Sequence, residues 1–458
     1  MARTNLKRAS TLRTHEGAPA KTVSYELQLR RAVLSTMLWE DQYYESGKQI
    51  ADRIIELIPK VKPEQAVEVA ITARQMGNLR HVPLFVGASL ARGTVEQRAH
   101  VRALLPQIIQ RPDELCEIVS LYWEDGKKPL TAGLKKGLAD SFTKFDEYQL
   151  AKYDRDAPIK LRDVLFLCHA KPRDGVKGYT KEARKQGRQP MTPGSELFQR
   201  IATRTLKTPD TWEASLSKGE GKKTEAQKAV EWHRLISEKR LGGMAILRNL
   251  RNMEQAGVSK KDIRQAILEG NYKRVLPFRF ISAAKYAPDY EPELEKVFLD
   301  RFKQIDQLKG QTCVLVDVSG SMEGKISGDS TVDRVMVANG IAMILREMCE
   351  DGKIITFSSK VVGVPPRRGF ALADAIQQSQ SHNMTRMGAA VEFANKFKPE
   401  RIVAITDEQS HDHVPDPYAR GYIVNVASYK NGVGYGKWNH IDGFSAAVCD
   451  WIYEFEKL

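Results

Sequence analysis

The stretch TCVLVDVSGSME at residues 312–323 decides the fold of the C-terminal part of the chain. Its first five residues predict a strand of a parallel sheet that is buried on both faces. The strand leads Asp317, Ser319 and Ser321 into the turn at its carboxyl end, where open α/β sheets place their ligands. One carboxylate and two hydroxyls at alternate positions are hard oxygen ligands, which suit Mg²⁺ or Mn²⁺. The stretch therefore predicts a divalent-cation loop at the edge of a parallel sheet.

Two side chains further along the chain complete the predicted ligand set. The apolar run 401–406 ends in Asp407, so RIVAITDE repeats the pattern of a strand followed by a carboxylate. Thr385 lies on the turn before a helix that is predicted to start near Met387. We therefore predict a site for Mg²⁺, with Mn²⁺ as the alternative ion. Its five ligating residues are Asp317, Ser319, Ser321, Thr385 and Asp407.

Two alternatives to a cation loop fit parts of this pattern. Asp and Ser turns also form without any ion. The presence of Thr385 and Asp407 further along the chain argues against such a plain turn. A nucleophilic serine would need a relay histidine and a strand-to-helix elbow, and the sequence shows neither. His411 and His413 follow Asp407. We interpret them as residues at the rim of the site, because the ligand set is already oxygen-based.

The rest of the C-terminal part alternates strands with helices. This alternation predicts a mainly parallel sheet covered by helices on both faces. The predicted strands lie at 312–318, 353–359, 401–406 and 422–428, and the predicted helices at 332–350, at 370–379, after Thr385 and at 442–457.

The positive charge of the chain is concentrated in its N-terminal part. The 458 residues carry a formal net charge of +14. Residues 1–300 contain 53 Lys and Arg against 38 Asp and Glu, whereas residues 301–458 contain 18 against 19. A concentrated positive field attracts polyanions, so RNA or DNA is the expected partner of the N-terminal part. Solvated helix faces are the alternative interpretation.

The sequence has no apolar run of 18 residues, and its N-terminus lacks the apolar segment of a secretory signal. We expect no membrane association and a cytoplasmic protein. The cysteines are odd in number and scattered, without Cys-x-x-Cys spacing, which favours reduced thiols over a disulfide frame or a zinc site. They are Cys116, Cys168, Cys313, Cys349 and Cys449.

Residues 23–305 are predicted to be almost entirely helical. Apolar residues recur at three- and four-residue spacing in the segments 25–39, 46–58, 63–76, 82–92, 94–109 and 113–123. Short links with Gly or Pro separate these segments, which is typical of stacked helical hairpins. Residues 1–22 are predicted to form a flexible basic arm. The predicted domains are thus 1–22, 23–305 and 306–458.

The blocks 129–172, 242–258 and 273–286 resemble the TROVE module of the Ro autoantigen family. The five predicted ligands resemble the metal-ion-dependent adhesion site of von Willebrand factor A domains. In the Ro family a ring of HEAT-type helical repeats is closed by such an A domain. The resemblance therefore implies an α + α/β chain, a monomeric ring in which the helical repeats precede the sheet.

The resemblance also implies RNA binding without catalysis. Ro proteins carry small Y RNAs on the outer face of the ring, and the hole accepts single-stranded 3′ ends of misfolded non-coding RNA. Bacterial relatives pass RNA to an exoribonuclease, polynucleotide phosphorylase. Lys152 and His169 match the family's Y RNA contact segment, and Arg155 stands one place out of step with the family's arginine.

The residues of this segment support contact with phosphates. In KLRDVLFLCH, at residues 160–169, helical spacing predicts a buried stripe of Leu161, Val164, Leu165 and Cys168. Arg162, Phe166 and His169 are left nearer the rim. A helix-capping role is the alternative for His169. The predicted RNA contacts are Lys135, Lys136, Lys152, Arg155, Arg162 and His169.

Two other functions are alternatives to an RNA-binding adaptor for RNA quality control. A Mg²⁺-dependent nuclease needs several clustered carboxylates and a general base, whereas the predicted site offers two carboxylates and three hydroxyls. Alternatively, the A domain docks a protein and the basic helices bind only acidic protein surfaces. The sequence favours the RNA-binding protein and predicts that it is not an enzyme.

Overall fold

The computed structural model describes residues 12–21, 23–154, 156–171, 193–207, 209–217, 223–302, 307–328 and 331–457. The predicted RNA contact Arg155 lies outside the described residues, as do residues 1–11 and residue 22 of the predicted arm. Contacts within the chain define two compact units. The sheet unit consists of Met1–Ile54, Met76–Asn78 and Lys223–Leu458, and the helical unit of Ile55–Gln75 and Leu79–Lys222.

The two units do not follow the boundary predicted near residue 305. Helices do give way to strands there, since the last helix before the sheet ends at Asp300 and the first strand begins at Leu308. However, the helices after residue 223 belong to the same compact unit as the sheet. The change from helices to strands therefore lies near residue 305, whereas the last boundary between the two compact units lies near residue 223.

The described helices are α1 (Tyr25–Leu34), α2 (Gly47–Leu57), α3 (Pro63–Gln75), α4 (His81–Arg92), α5 (Val95–Ile108), α6 (Asp113–Tyr122), α7 (Ala132–Phe142), α8 (Glu147–Tyr153), α9 (Leu161–Cys168), α10 (Pro193–Thr203), α11 (Trp212–Ser217), α12 (Glu225–Ser237), α13 (Gly243–Gln255), α14 (Lys260–Glu269), α15 (Phe278–Tyr286), α16 (Glu291–Asp300), α17 (Arg334–Met348), α18 (Gly369–Gln377), α19 (Met387–Asn395) and α20 (Ala447–Lys457). The strands are β1 (Leu308–Asp317), β2 (Cys349–Phe357), β3 (Val361–Gly363), β4 (Arg401–Thr406), β5 (Arg420–Asn425) and β6 (Trp438–Asp442). None of these described helices is long and apolar enough to cross a membrane.

Helices that follow one another in the sequence pack on one another in the helical unit. Helix α4 contacts α3, α5 and α6, α5 contacts α7, and α7 contacts α9. Residues 82–91 of α4 are all buried, so this helix is surrounded by its neighbours. At the start of α5, Thr94 and Gln97 form a capping box that satisfies free backbone N–H groups. The predicted stacking of short helical hairpins is confirmed.

The sheet has the strand order β3-β2-β1-β4-β5-β6. All neighbouring strands are parallel except β2 and β3. Strands β1 and β4 are adjacent in the middle of the sheet, and every residue of β4 is buried. Helix α19 covers one face through Met387, Ala390 and Val391, which belong to the same core cluster as Leu315 and Ala404. The predicted parallel sheet is confirmed, and β3 and β6 are additions to it.

Helices α12–α16 pack on one another within the sheet unit. Helix α15 contacts α17, and α16 contacts α18. A side chain at Gly340 of α17 would place its Cβ 3.0 Å from the Cβ of Pro277, so glycine permits the close approach of this helix to the start of α15. The backbone N–H of Phe370 donates to Glu295 at 2.7 Å. The helices after residue 223 thus pack on helices α17 and α18 of the sheet unit.

The prediction of a flexible basic arm over residues 1–22 is wrong for residues 12–21. Ala18 and Ala20 are buried, and Ala18 belongs to the core cluster of the sheet. The Thr14 hydroxyl donates to the carbonyl of Ser410 at 2.8 Å, and the N–H of Lys21 donates to the carbonyl of Gly432 at 3.4 Å. Two small apolar residues in a polar segment are a weak sequence signal, but their burial and these long-range hydrogen bonds order the segment.

The five cysteines are free thiols, and four of them are buried. The prediction that they form no disulfide frame is confirmed. Burial raises the pKa of Cys168 and of Cys313 to about 11, so both thiols stay protonated and unreactive at neutral pH.

Candidate functional site

The carboxyl ends of β1 and β4 bring two carboxylates to one edge of the sheet. The register pairs Val316 with Ile405, so the strands end side by side and Asp317 and Asp407 both enter the loops at this edge. The Thr406 hydroxyl donates to Asp317 Oδ2 at 2.6 Å. Both aspartates are buried. The parallel register of two central strands thus positions the carboxylates that the sequence singled out.

Ser319 and Ser321 lie in the same buried cluster. Their hydroxyl oxygens are 3.3 Å apart. The Ser319 side chain hydrogen-bonds to Asp317, and the Ser321 side chain hydrogen-bonds to Asp407. Asp317 Oδ1 also accepts the backbone N–H of Ser319 at 2.9 Å, which closes the turn. Four of the five predicted ligands are therefore joined by hydrogen bonds.

Thr385, the fifth predicted ligand, is also buried, and the loop that follows Asp407 holds it. Its backbone N–H donates to His411 Nδ1 at 3.0 Å, and its carbonyl accepts the N–H of His411 at 2.8 Å. The hydroxyl of Ser410 donates to the same carbonyl at 3.2 Å. His411 therefore positions the Thr385 turn, while His413 is exposed.

Burial of the two neighbouring aspartates disfavours their ionised forms. Burial, and then the charge of Asp407, raise the pKa of Asp317 to about 7, against hydrogen bonds from Ser319 and Thr406. Burial also raises the pKa of Asp407, opposed by the hydrogen bond from Ser321 and by the charge of Arg334. Asp407 Oδ2 is buried without a hydrogen-bond partner. Buried like charges and an unsatisfied carboxylate oxygen are what a cation would relieve.

Among the described residues, no three His, Cys, Asp or Glu side chains are grouped so that they alone could hold a metal ion. An ion at this edge of the sheet would depend on the hydroxyls of Ser319, Ser321 and Thr385 as well as on the two aspartates. Such an all-oxygen set with two carboxylates fits Mg²⁺ or Mn²⁺ and does not fit a transition metal that prefers nitrogen or sulfur.

Two residues beside this cluster could not be anticipated from the sequence. Arg334, the first residue of α17, is buried, and its charge acts on Asp407. Glu16, in the ordered segment 12–21, lies 2.7 Å from His411 Nε2. A charged residue at a helix start and a glutamate in a polar N-terminal stretch carry no local signal that links them to residues 317–407. Only long-range packing brings them to the site.

The described RNA-contact candidates lie on three helices of the helical unit. Lys135 and Lys136 are on α7, Lys152 is on α8, Arg162 is on α9 and His169 directly follows α9. Helix α9 packs against α6, α7 and α10. Lys136 and His169 are exposed, and the other three are half-buried. In the described part of the chain none of the five forms an ion pair with an acidic side chain.

Helix α9 has the buried stripe that its sequence predicts. Leu161, Val164, Leu165 and Cys168 are its buried residues. Phe166 is 55% exposed, which is unusual for a large aromatic ring. His169 ends the helix with φ at 52°, in the left-handed region that β-carbon-bearing residues rarely adopt. This conformation turns the chain sharply at the end of α9, where the exposed imidazole lies.

A second basic cluster lies between α13 and α15 of the sheet unit. Arg248, Arg251 and Arg279 line one cleft there with Tyr286. The Arg251 guanidinium lies 5.4 Å from the centre of the Tyr286 ring. Burial and the charge of Arg248 lower the pKa of Arg279. Like the first cluster, these arginines have no acidic partner among the described residues. Both helices lie in blocks that resemble the TROVE module, but the sequence alone gave no reason to assign these arginines a role.

Known proteins are similar to this chain in sequence and in fold. The TROVE domain family matches residues 4–193 and 189–353. Telomerase protein component 1 of Mus musculus is 26% identical over 310 residues, which is 52% of this chain and 12% of that protein. The protein of the same name from Rattus norvegicus is 26% identical over 296 residues, or 49% of this chain and 11% of that protein. The chain thus spans about an eighth of the length of these relatives.

A solved structure supports the fold over nearly the whole chain. The crystal structure of Deinococcus radiodurans RO (RSR) protein superposes with a TM-score of 0.60 at 18% identity, over 94% of this chain and 99% of that chain. At this identity the likeness concerns the fold. The match of the TROVE domain to most of the sequence shows that the chain belongs to the TROVE-domain family, and the superposition shows that it shares the fold of this Ro protein.

Proposed function

We propose that this protein is a non-catalytic adaptor for structured non-coding RNA. In this proposal the basic residues of both units hold the phosphates of a small Y-like RNA and of a misfolded RNA with a single-stranded 3′ end. The cation site docks an acidic group of a protein partner, for which an exoribonuclease such as polynucleotide phosphorylase is the expected class. The observation that carries the proposal is that the candidate basic side chains lack acidic partners among the described residues, whereas many other basic side chains are paired.

Many other basic residues of the helical unit are paired with acids. Arg74 pairs with the fully buried Glu114 at 2.8 Å, and Arg102 pairs with Asp140 at the same distance. In contrast, the candidates on α7, α8 and α9 have no such partner among the described residues. An unpaired cation at the surface keeps its charge for a phosphate, whereas a paired one must first lose its partner.

The arginines that line the cleft of the sheet unit also lack an acidic partner among the described residues, and they lie in a more enclosed site. Three guanidinium groups around one cleft repel one another, which an RNA phosphate would offset. Arginine presents a planar fork of N–H donors that fits phosphate oxygens. Tyr286, which is 40% exposed, offers a ring on which an unpaired base can stack. The cleft is therefore suited to single-stranded RNA.

The cation site is proposed for binding rather than for cleavage. Asp317, Ser319, Ser321, Thr385 and Asp407 would hold Mg²⁺ or Mn²⁺, and the ion would supply a positive centre that attracts a carboxylate. The aspartates accept hydrogen bonds from serine and threonine, so they are oriented by neutral donors. Two-metal hydrolysis would need further carboxylates and a general base, which the described residues of the cluster do not provide.

We expect the double variants Lys152→Ala with His169→Ser, and Arg248→Ala with Arg251→Ala, each to weaken RNA binding about tenfold at physiological salt. Each pair should also reduce the slope of log affinity against log salt by about one to two, because each removes up to two phosphate contacts. The measurement is a salt titration with a stem-loop RNA that carries a single-stranded 3′ tail. Removal of the single-stranded tail should reduce the affinity loss caused by Arg248→Ala with Arg251→Ala more than the loss caused by Lys152→Ala with His169→Ser.

Arg102→Ala is the matched control, because Arg102 is exposed but already paired with Asp140. It should change neither the affinity nor the salt slope. Equal effects of the control and of the two double variants would contradict the importance of pairing. Degradation of the RNA by the wild-type protein in the presence of Mg²⁺, lost on Asp317→Ala, would replace the adaptor with a nuclease.

We expect Mg²⁺ to stabilise the protein more at pH 8 than at pH 5.5, conditions chosen on either side of the raised Asp317 pKa of about 7. Because this pKa exceeds that of the unfolded chain, the folded protein binds more protons at intermediate pH. Its metal-free stability therefore falls as the pH rises from the ordinary carboxyl value of 3.8 to about 7. A cation removes this penalty once the carboxyl is ionised. Thermal unfolding with and without Mg²⁺ at both pH values checks this, and equal shifts would contradict it.

A further inference from the structure

One face of helix α9 places an aromatic ring between two side chains that can bind phosphate. The buried residues of α9 lie on its other side. Arg162 and Phe166 are four residues apart, which makes them neighbours on the helix surface, and His169 directly follows the helix. Phe166 and His169 are exposed, and Arg162 is half-buried. The face therefore offers an apolar ring to solvent beside an arginine.

The Phe166 ring has no aromatic or cationic partner. It is 55% exposed and makes no ring or cation–π contact with the other described residues. Other exposed rings are partnered: Tyr43 packs edge-on against Tyr44, and Phe455 stacks on Trp451. A ring that the described part of the chain leaves uncovered, next to a cation without an acidic partner, is available to a ligand.

Helix α8 repeats the same arrangement. Tyr148 is 46% exposed, makes no ring contact with the described residues and lies four residues before the proposed phosphate contact Lys152. The next residue before it, Glu147, pairs with Arg200 of α10 at 2.8 Å, and α10 packs against α9. A single exposed aromatic residue is common on protein surfaces. Two such rings, each one helical turn from an unpaired cation, form a pattern.

The surrounding charge favours a nucleic acid as the ligand. Helix α7, which contacts α9, carries Lys135 and Lys136, and neither has an acidic partner among the described residues. An unpaired nucleotide combines an anionic phosphate with a flat base, which matches cations interleaved with exposed rings. An apolar protein segment would match the rings alone and would not need the cations.

We propose that Phe166 and Tyr148 are stacking positions for unpaired RNA bases, so that the helical unit selects structured RNA with a bulge or an open loop. This inference rests on the proposed RNA binding. Any base can stack on an aromatic ring, because every base has a π face. The cation one turn away holds a phosphate of the same strand. Bases inside a regular duplex are stacked on one another and cannot reach the rings.

The test compares the affinities of a hairpin RNA with a bulge and of a fully paired RNA duplex, measured by fluorescence anisotropy with the full-length protein. Leucine at position 166 keeps an apolar side chain without a ring, and tryptophan keeps a ring. We expect Phe166→Leu to weaken binding of the bulged RNA about tenfold, and Phe166→Trp to retain it. The affinity for the duplex should stay unchanged. The slope of log affinity against log salt should also stay unchanged, because no phosphate contact is lost.

Tyr418→Leu is the matched control, because Tyr418 is 56% exposed, makes no ring contact with the described residues and belongs to the sheet unit. It should leave both affinities unchanged. Tyr148→Leu should act like Phe166→Leu, and the double variant should weaken binding of the bulged RNA about 100-fold if the two stacking positions are independent. Iodouracil in the bulge, which cross-links on irradiation to a ring stacked against it, should attach to Phe166 or Tyr148.

Each outcome separates stacking from phosphate binding. Equal affinities of the wild type and Phe166→Leu for the bulged RNA overturn the inference and leave the ring to a protein partner. An equal loss for the bulged RNA and the duplex also overturns it, because a duplex offers no free base. So does a loss that accompanies a lower unfolding temperature, because the ring then supports the fold. Failure of the wild type to bind either RNA overturns the proposed RNA binding itself.

Discussion

Replacement of Arg31 by methionine is expected to lower the free energy of unfolding of the sheet unit by about 3–5 kcal/mol. Arg31 lies on α1 and is buried. It pairs with Glu408 at 2.8 Å and with Asp442 at 3.4 Å, and both carboxylates are buried. Its removal would leave them without their main counter-charge. Urea unfolding followed by tryptophan fluorescence measures the loss.

The pKa shifts support this expectation. Burial alone would raise the pKa of Glu408, but the charges of Arg31 and His440 hold it below its usual value. Burial would lower the pKa of Arg31, but Glu408 and Asp442 raise it. Each charge therefore depends on the others. Arg30→Met is the matched control, since Arg30 precedes Arg31 and is half-buried. Equal losses of stability in the two variants would contradict the role of the buried network.

Replacement of Asp317 by asparagine is expected to have opposite effects on two measurements. Divalent-cation affinity should fall by more than about 100-fold, because the proposed cation site would lose one of its two carboxylates. The metal-free protein should become more stable at alkaline pH, because one of two buried like charges disappears. Titration with Mn²⁺ and thermal unfolding without metal check the two parts.

Asp374→Asn is the control for this variant, since Asp374 is exposed on α18 and changes the net charge equally. It should leave both quantities unchanged. A metal-free Asp317→Asn protein that is less stable than the wild type would contradict the expected sign. In that case the hydrogen bonds from Thr406 and Ser319 to the carboxylate would outweigh the repulsion from Asp407.

The parts of the fold that depend on local pattern could be predicted from the sequence. Apolar spacing and a proline at its start predict helix α3 over 63–76, and the helix is found at Pro63–Gln75. The apolar run 401–406 predicts strand β4, which is found there. By contrast, β3 has three residues, and β6 has the mixed sequence WNHID, so neither shows the apolar run of a buried strand.

The candidate cation cluster was predictable for a related reason. Asp317 and Asp407 each follow an apolar strand, and neighbouring parallel strands end at the same edge of the sheet. Arg334 and Glu16 could not be found in this way, because their place beside Asp407 depends on the packing of α17 and of the segment 12–21. The arginine cleft was missed because charge spacing along α13 does not show which of its arginines lack an acidic partner.

The discontinuity of the sheet unit determines the order in which the protein can fold during its synthesis. Arg31 and Glu408 are 377 residues apart in the sequence. At ribosomal rates of about 5–20 residues per second, roughly 20–75 seconds pass before Arg31 can meet its counter-charge. The helical unit, Ile55–Gln75 and Leu79–Lys222, is synthesised entirely within that interval. It can therefore fold first. During this interval α1 lacks its packing partners and remains an amphipathic segment that a chaperone could bind.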